Sequence, residues 1–160
     1  MAIIIADAGP LIALAKINQL DLLPALFSSV TITQAVSDEC LLSPYADKVL
    51  IAEALKKGWL RCVENPVFKH QLSKSLGLGE LSSIEYALQK TGKTLLIIDD
   101  ALARKQALRY QLQPVGTAAL LFAAQHKGLI VDAETLIAEL NSIGYRISAT
   151  VVAQLKQQKT

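Results

Sequence analysis

Two acidic positions stand directly after apolar segments of the sequence. Asp7 follows the isoleucine-rich segment 2–6, and the pair Asp99 and Asp100 follows a β-favouring run that begins at Thr94. Ligands of open α/β sheets bind beyond the carboxyl ends of the strands, so acids at strand ends are candidates for chemistry. The sequence therefore predicts that Asp7 and Asp99 lie at one edge of a parallel sheet.

Two further acids are predicted to reach that edge from helices. Glu39 lies about two turns into a helical segment, and Glu80 opens another. Four carboxylates at short range would resist joint ionisation, because like charges raise each other's pKa, and a divalent cation would resolve the conflict. Carboxylate and water oxygens suit Mg²⁺ or Mn²⁺, whereas His70 and His126 lack the spacing of a zinc site. The expected ligands of this Mg²⁺ or Mn²⁺ site are Asp7, Glu39, Glu80 and Asp99.

A metal ion held by carboxylates suits the hydrolysis of phosphodiester bonds. Such an ion can activate water, neutralise phosphate oxygens and align an in-line attack. Three basic residues, Arg104, Lys105 and Arg109, follow the double Asp on the next predicted helix. Lys105 and Arg109 are four residues apart and share one helical face. We expect the three side chains to hold a substrate's phosphate backbone beside the metal.

Each acid also has a simpler structural explanation. Either Asp99 or Asp100 could be the N-cap of the following helix, and Asp7 before Gly-Pro could be a turn residue. Taken alone, Glu39 suits a solvated helix position, and Glu80 suits a first turn, where the helix dipole favours acids. The functional interpretation therefore depends on several acids reaching one predicted edge.

Strand and helix patterns alternate along the chain. Strands are predicted at residues 2–6, 30–32, 59–63, 94–98 and 113–115. Helices are predicted at residues 10–17, 21–27, 33–42, 47–57, 80–92, 116–128, 132–141 and 148–159, with the basic helix after Asp100. Ser43-Pro44 is a predicted break, residues 64–79 a long loop, and Thr117 could be no more than an N-cap. This alternation predicts a largely parallel sheet with helices on both faces.

Composition agrees with such a buried sheet. The chain is 52% hydrophobic and 19% charged, with a mean hydropathy of +0.36. The formal charge of +2 is too small to indicate nucleic-acid binding by itself. Cys40 and Cys62 have no CxxC spacing, so we expect two reduced thiols in a cytoplasmic protein.

The N-terminal segment does not have the character of a signal peptide. It lacks a basic start, and Asp7, Gly9 and Pro10 interrupt its apolar run. No uninterrupted apolar stretch approaches the roughly 20 residues that cross a bilayer. We therefore expect one domain over residues 1–160 and no membrane association.

Several motifs, in this order, resemble those of the PIN domain family: IIIADAGPLIALAKINQLDLL, TQAVSDEC, GLGELSSIEYAL, LLIIDDALARKQA and PVGTAALLFAAQHKGLI. More narrowly, the chain is similar to PIN-like proteins related to the VapC-type toxins of prokaryotic toxin-antitoxin pairs. The resemblance extends over essentially the whole chain, including the tail around 144–148. Each motif is short, and their order makes the resemblance specific.

The resemblance implies a three-layer α/β/α fold with a central, mostly parallel sheet of about five strands and a C-terminal helical extension at about 129–160. It implies a Mg²⁺- or Mn²⁺-dependent ribonuclease with an RNA substrate. It also implies a small antitoxin protein as partner, and the apolar helices at the N-terminus and at 117–128 suggest self-association as a dimer. By resemblance the catalytic acids are Asp7, Glu39, Glu80 and Asp99. The auxiliary residues are Asp100 and Thr117, whose hydroxyl could support a metal-bound water.

The sequence departs from the family pattern at two positions. Ala8 stands where many members carry a hydroxyl residue, and Ser82 stands where a second acid is common; Glu85 could replace that acid only if its helix were rotated. These departures leave open a PIN-like domain that binds RNA or a protein without efficient turnover. A third class is a receiver-like or phosphatase domain with a phosphoaccepting Asp. Its phosphatase form is disfavoured because Asp7-Ala8-Gly9 is not a DxD pair.

Overall fold

The computed structural model describes residues 2–42 and 47–158. Its strands are β1 (Ile3–Ala6), β2 (Val30–Thr33), β3 (Leu60–Val63), β4 (Thr94–Ile97) and β5 (Pro114–Val115). They form one sheet in the order β3-β2-β1-β4-β5, and each neighbouring pair is parallel. The helices are α1 (Ala8–Lys16), α2 (Leu22–Phe27), α3 (Gln34–Leu41), α4 (Asp47–Lys57), α5 (Leu78–Leu88), α6 (Ala101–Arg109), α7 (Thr117–His126), α8 (Ala133–Ser142) and α9 (Ala149–Gln157).

Helices cover both faces of the sheet. Successive side chains of a strand point to opposite faces, so Ile4 and Ile97 join one hydrophobic cluster, and Ile5 and Leu96 join another. The first cluster includes α1, α7 and α8, and the second includes α5 and α6. Full burial of one such side chain contributes roughly 1.5–3 kcal/mol. The predicted three-layer α/β/α fold with a parallel five-stranded sheet is confirmed.

The strand order changes direction between β1 and β4. The chain runs outward from β1 to β2 and β3, then returns to place β4 on the other side of β1, in register from Ile3 opposite Thr94 to Ala6 opposite Ile97. A crevice forms beyond the carboxyl ends of two strands whose connections diverge in this way. Asp7 directly follows β1, and Asp99 lies two residues after β4, so both lie at this crevice.

Two helices begin two residues before their predicted starts. Helix α1 begins at Ala8, and Pro10 occupies its third position, where the missing N–H has no intrahelical acceptor to lose. Helix α5 begins at Leu78, because the Glu80 carboxylate folds back to accept the Gly77 N–H at 3.0 Å. Glu80 therefore stabilises the helix start from its third residue.

The end of α5 differs by four residues, and other boundaries differ by less or cannot be compared. Helix α5 ends at Leu88, and Gly92, with φ of +91°, forms the turn before β4 instead of ending the helix. Strands β3 and β5 each begin one residue after the predicted start. The predicted break at Ser43-Pro44 and the predicted helix end at Lys159 lie outside the described residues.

Three predicted N-caps are confirmed. The side chains of Thr33, Asp132 and Ser148 each accept a backbone N–H from the first turn of the following helix, at 3.1–3.3 Å. These bonds satisfy donors that have no intrahelical partner. None of the described helices is both long enough and apolar enough to span a membrane.

Candidate active site

A cavity of about 350 Å³ lies at the crevice beyond β1 and β4. Its lining consists of Asp7, Gly9, Pro10, Glu39, Glu80, Asp99, Asp100 and Tyr145. We call this space the acidic cavity. The structure therefore brings the four predicted ligands and Asp100 to one place, although they come from four different parts of the chain.

Asp7 is the most deeply buried acid of this cavity. It is 7% exposed, and its Oδ1 atom has no hydrogen-bond partner among the described residues. Burial, together with the negative charges of Glu80, Glu39 and Asp99, raises the pKa of Asp7 from 3.8 to about 7, against the lowering effect of a backbone hydrogen bond at Ala8. A buried carboxylate oxygen without a donor is costly, and a bound cation would compensate it.

Glu39 approaches Asp7 where α5 packs closely on α3. A Cβ atom built on Gly79 would lie 3.0 Å from Glu39 Oε1 and 3.3 Å from Asp7 Oδ1. Thr33 and Ser82 share a buried hydrogen bond of 2.7 Å that joins the start of α3 to α5. Because Gly79 has no side chain, the carboxylates of Glu39 and Asp7 can both approach it.

Glu80 and Asp100 each cap a helix and also line the acidic cavity. The half-buried Glu80 caps α5, and Asp100 Oδ2 accepts the Ala103 N–H at 2.9 Å as the N-cap of α6. Burial raises the pKa of Glu80, and the nearby charges of Asp100 and Glu39 raise it further. The double Asp therefore divides its roles, because Asp100 caps the basic helix while Asp99 makes different contacts.

Asp99 is held by three donors. Its Oδ1 atom accepts the Thr117 N–H at 2.8 Å, and its Oδ2 atom accepts the Thr117 hydroxyl at 2.5 Å and the Tyr145 hydroxyl. Thr117 is fully buried at the start of α7. These bonds fix the orientation of the carboxylate.

Tyr145 is the functional candidate that the sequence analysis did not single out. It follows Gly144, whose φ is +94°, in the segment between α8 and α9, and it lines the acidic cavity. Burial and the charge of Asp99 raise the pKa of Tyr145 above its usual value, so the hydroxyl stays protonated as a donor. One sequence signal could have identified Tyr145. Aromatic residues make up 5% of the sequence, and Tyr145 directly follows Gly144, a turn residue.

The predicted basic group is divided. Arg104 is half-buried and lines a second cavity beside Asp99, whereas Lys105 and Arg109 are exposed and line neither that cavity nor the acidic cavity. Helical geometry explains the division, since Lys105 and Arg109 share a face that Arg104 does not.

Glu85 does not replace the acid that is missing at Ser82. It is fully buried and accepts the backbone N–H groups of Lys69 and His70 at 2.9 Å each, and His70 Nδ1 lies 2.7 Å from its second oxygen. Burial alone would raise the pKa of Glu85, but these bonds and one from Gln89 hold it below its usual value. Glu85 thus fastens the long loop to α5, away from the acidic cavity.

The residues of the acidic cavity suit a hydrated divalent cation. In residues 2–42 and 47–158, no three Asp, Glu, His or Cys side chains lie close enough together to coordinate a metal ion by themselves. However, Asp7 Oδ1 has no hydrogen-bond partner in the described part of the chain, and Glu39 supplies a second oxygen nearby. Mg²⁺ commonly binds through one or two carboxylates and keeps several waters, so this donor set fits the ion.

The profile of the PIN domain family matches residues 3–160. The match includes every strand of the sheet and every residue that lines the acidic cavity. A comparison with curated protein sequences finds no match. PIN domains are generally nucleases that act on nucleic acid and typically use divalent metals. A match of this extent, on a five-stranded parallel sheet with acids at its strand ends, shows that the chain belongs to the PIN domain family.

Proposed function

We propose that the protein is a Mg²⁺- or Mn²⁺-dependent endoribonuclease that hydrolyses RNA phosphodiester bonds. The observation that carries this proposal is the buried Asp7 carboxylate, which shares one cavity with four other acids and has an oxygen without a hydrogen-bond partner among the described residues. Without a cation, such an arrangement is electrostatically unfavourable. This arrangement of carboxylates at the strand ends therefore suits the binding of a cation.

The proposed roles follow from the contacts of each side chain. Asp7 and Glu39 would bind the metal, and Glu80 and Asp99 would complete its surroundings. When bound, the divalent ion supplies Lewis-acid activation of water and neutralises charge on the phosphate. Thr117 and Tyr145 hold the Asp99 carboxylate in its orientation. The auxiliary Asp100 holds the start of α6, the helix that carries Arg104.

Of the three predicted basic residues, Arg104 would contact a phosphate group at the site itself, because it lines a cavity together with Asp99. Lys105 and Arg109 would act further along the strand of RNA, as exposed charges that attract the backbone. Neither group gives base recognition, since phosphate contacts position a substrate without reading its sequence.

We further propose that the protein is the toxin of a toxin-antitoxin pair, acts in the cytoplasm as one domain, binds a small antitoxin protein and forms a dimer. The resemblance of the motifs to VapC-type proteins supports the pairing. The structure corrects one reason for the dimer: the apolar side chains of α1 and α7 are largely buried within the chain and pack on neighbouring elements. Their hydrophobicity stabilises the fold and does not indicate a partner surface.

Substitution of Asp7 by Asn tests the nuclease proposal. The amide keeps the shape of the side chain but cannot offer two anionic oxygens to a metal. We expect at least a hundredfold loss of Mg²⁺-dependent cleavage of single-stranded RNA, measured by gel electrophoresis of labelled RNA. Asp21→Asn is the matched control, because Asp21 is exposed and makes no side-chain capping bond. A folded Asp7→Asn protein with full Mg²⁺-dependent activity would refute the assignment.

A second candidate function is an RNA- or protein-binding module with little or no turnover. It is favoured by one observation, that protein donors already contact both oxygens of Asp99. The hydroxyl of Ser82 is likewise engaged with Thr33. Under this alternative, purified wild-type protein would retain RNA affinity and show no metal-dependent cleavage of varied RNAs.

A further inference from the structure

A second cavity, of about 510 Å³, adjoins the acidic cavity. It lies between the start of α7 on one side and α9 on the other, and Asp99 lines both spaces. We call it the α9 cavity. Its volume falls in the range of roughly 300–1,000 Å³ that is typical of sites for small ligands. An occupant of the α9 cavity would therefore extend directly away from the proposed metal site.

The lining of the α9 cavity combines apolar and cationic groups. Val115, Ala118, Val151 and Leu155 supply hydrocarbon surface, and Arg104 and Arg146 supply two guanidinium groups. Asp99 is the one acid among the described residues of this lining. Such a combination suits a ligand with a flat apolar part and an attached anion.

Neither arginine forms an ion pair with a carboxylate among the described residues. Within residues 2–42 and 47–158 the ion pairs are Lys16 with Asp47, His70 with Glu85 and Lys156 with Glu134. Arg104 and Arg146 are in none of them. Because a guanidinium presents donors in a planar fork that matches phosphate oxygens, an unpaired pair beside a nuclease centre is suited to a phosphodiester.

Gly116 keeps the two cavities adjacent. A Cβ atom built on Gly116 would lie 2.7 Å from Asp99 Oδ1 and 2.8 Å from a terminal nitrogen of Arg104. Both side chains therefore occupy the space that any other residue at position 116 would fill. This close approach places a cation at the boundary between the acids and the α9 cavity.

We propose that the α9 cavity binds the unpaired nucleotide next to the cleaved phosphate, with the base against the hydrocarbon surface and the phosphate on Arg104 and Arg146. This inference rests on the proposed ribonuclease function. Single-stranded RNA is recognised through unstacked bases that contact side chains and guanidinium planes. Gln154 and Gln158, which also line the cavity, offer amides that can hydrogen-bond a base edge. Because a paired base stays stacked inside its duplex, this site would take a base from a single strand.

The test measures binding apart from cleavage. Fluorescence anisotropy of a labelled RNA of about eight nucleotides, recorded in EDTA, gives the affinity of the wild-type protein and its variants. We expect Arg146→Gln to bind roughly tenfold or more weakly, since it loses charge-assisted contacts to phosphate. Arg61→Gln is the control: Arg61 is also exposed, but it lies on β3, at the opposite edge of the sheet.

A second arm asks whether a base occupies the cavity. In the wild type, replacing one nucleotide by an abasic ribose at successive positions should weaken binding roughly fivefold or more at one position. Ala119→Leu adds hydrocarbon bulk to the lining from α7, and in this variant the same abasic replacement should change affinity little. Arg146→Gln carries the test if Ala119→Leu does not fold, because Arg146 is exposed.

The outcomes separate this inference from the proposed function. If Arg146→Gln binds as Arg61→Gln does, or if abasic replacement has the same effect on wild type and Ala119→Leu, the nucleotide site is refuted, even where Mg²⁺-dependent cleavage is present. If binding depends on Arg146 and on one base while no RNA is cleaved, the nucleotide site stands and the nuclease assignment falls.

Discussion

At the scale of single residues, the acidic cavity is held in a state that disfavours the metal-free protein. Asp7 is buried among like charges, and within the described residues its Oδ1 atom has no donor, whereas the Asp99 carboxylate accepts bonds from three donors. Two aspartates at neighbouring strand ends therefore have opposite environments. The contrast identifies Asp7 as the acid that gains most from a cation, and Asp99 as a carboxylate whose orientation the protein fixes at one side of the cavity.

The raised pKa of Asp7 predicts how stability depends on pH when metal is removed. An acid whose folded pKa lies above its unfolded value stabilises the fold below the unfolded pKa and loses that contribution as pH rises. For a shift from 3.8 to about 7, the loss develops between about pH 4 and pH 7 and amounts to about 4 kcal/mol at most. In EDTA at pH 8, Asp7→Asn should therefore unfold at a higher temperature than the wild type.

Thermal unfolding followed by circular dichroism at pH 5 and pH 8 checks this expectation. The advantage of Asp7→Asn should be larger at pH 8, because the wild-type carboxylate is then ionised. Asp21→Asn, exposed and outside the acidic cavity, should track the wild type at both pH values. Equal stability of Asp7→Asn and wild type at pH 8 in EDTA would contradict the electrostatic account.

At the scale of elements, α5 serves both the acidic cavity and the long loop before it. One end of α5 carries Glu80 to the cavity, and its fully buried Glu85 accepts three donors from Lys69 and His70. His70 also packs edge-on against Tyr110, whose hydroxyl donates to the Gln71 carbonyl at 2.6 Å. Side-chain bonds to Glu85 and from Tyr110 therefore hold residues 69–71 in place.

Glu85→Gln should loosen that loop. The amide keeps one acceptor oxygen and loses the other, so we expect a loss of about 1.5–3 kcal/mol in the free energy of unfolding at pH 7. Because the folded pKa of Glu85 lies below 4.5, its contribution is present above that pH and disappears as pH falls through the folded pKa. The difference between variant and wild type should therefore shrink in acid.

Denaturant unfolding at pH 7 and pH 3 measures this effect, and hydrogen exchange at the Lys69 and His70 amides localises it. Glu53→Gln serves as the control, since Glu53 is an exposed residue of α4. Unchanged protection of the two amides in Glu85→Gln would show that the loop does not depend on this carboxylate.

The sequence predicted what depends on local pattern. Apolar runs followed by acids identified β1 and β4, and hydroxyl or carboxyl caps identified the starts of α3, α8 and α9. The start of α5 was missed because its cap is Gly77, which has no side chain, and because Glu80 reaches backward. The buried orientation of Glu85 depends on a loop 15 residues away, which no periodicity reveals.

At the scale of the whole molecule, the C-terminal region completes a site that the first hundred residues begin. Tyr145 lies 46 residues beyond Asp99, yet its hydroxyl donates to that carboxylate. Helices α8 and α9 pack on α7, and the Ile147 N–H donates to Asn141 at 2.6 Å, which holds the intervening segment in place. Contacts of this range depend on tertiary packing, so sequence reasoning placed the tail in the family but gave Tyr145 no role.

Tyr145→Phe tests this long-range connection. The ring is kept while the donor to Asp99 is lost, so we expect roughly a tenfold drop in Mg²⁺-dependent cleavage and a higher Mg²⁺ concentration at half-maximal rate. Tyr86→Phe is the control, because Tyr86 lies on α5 beside Lys90 and outside the acidic cavity. A purely structural role would lower the unfolding temperature without moving the Mg²⁺ dependence, and that result would contradict a positioning role for Tyr145.

The short outer strands of the sheet limit how copies of the protein can associate. Strand β5 has two residues and begins with Pro114, which has no N–H to donate, and strand β3 exposes the charged Arg61 at the opposite border. Both borders thus resist pairing with a strand from another molecule. An assembly of this protein is therefore expected to use surfaces other than the strand edges, and the sheet is protected from growing into the continuous ribbons from which aggregates form.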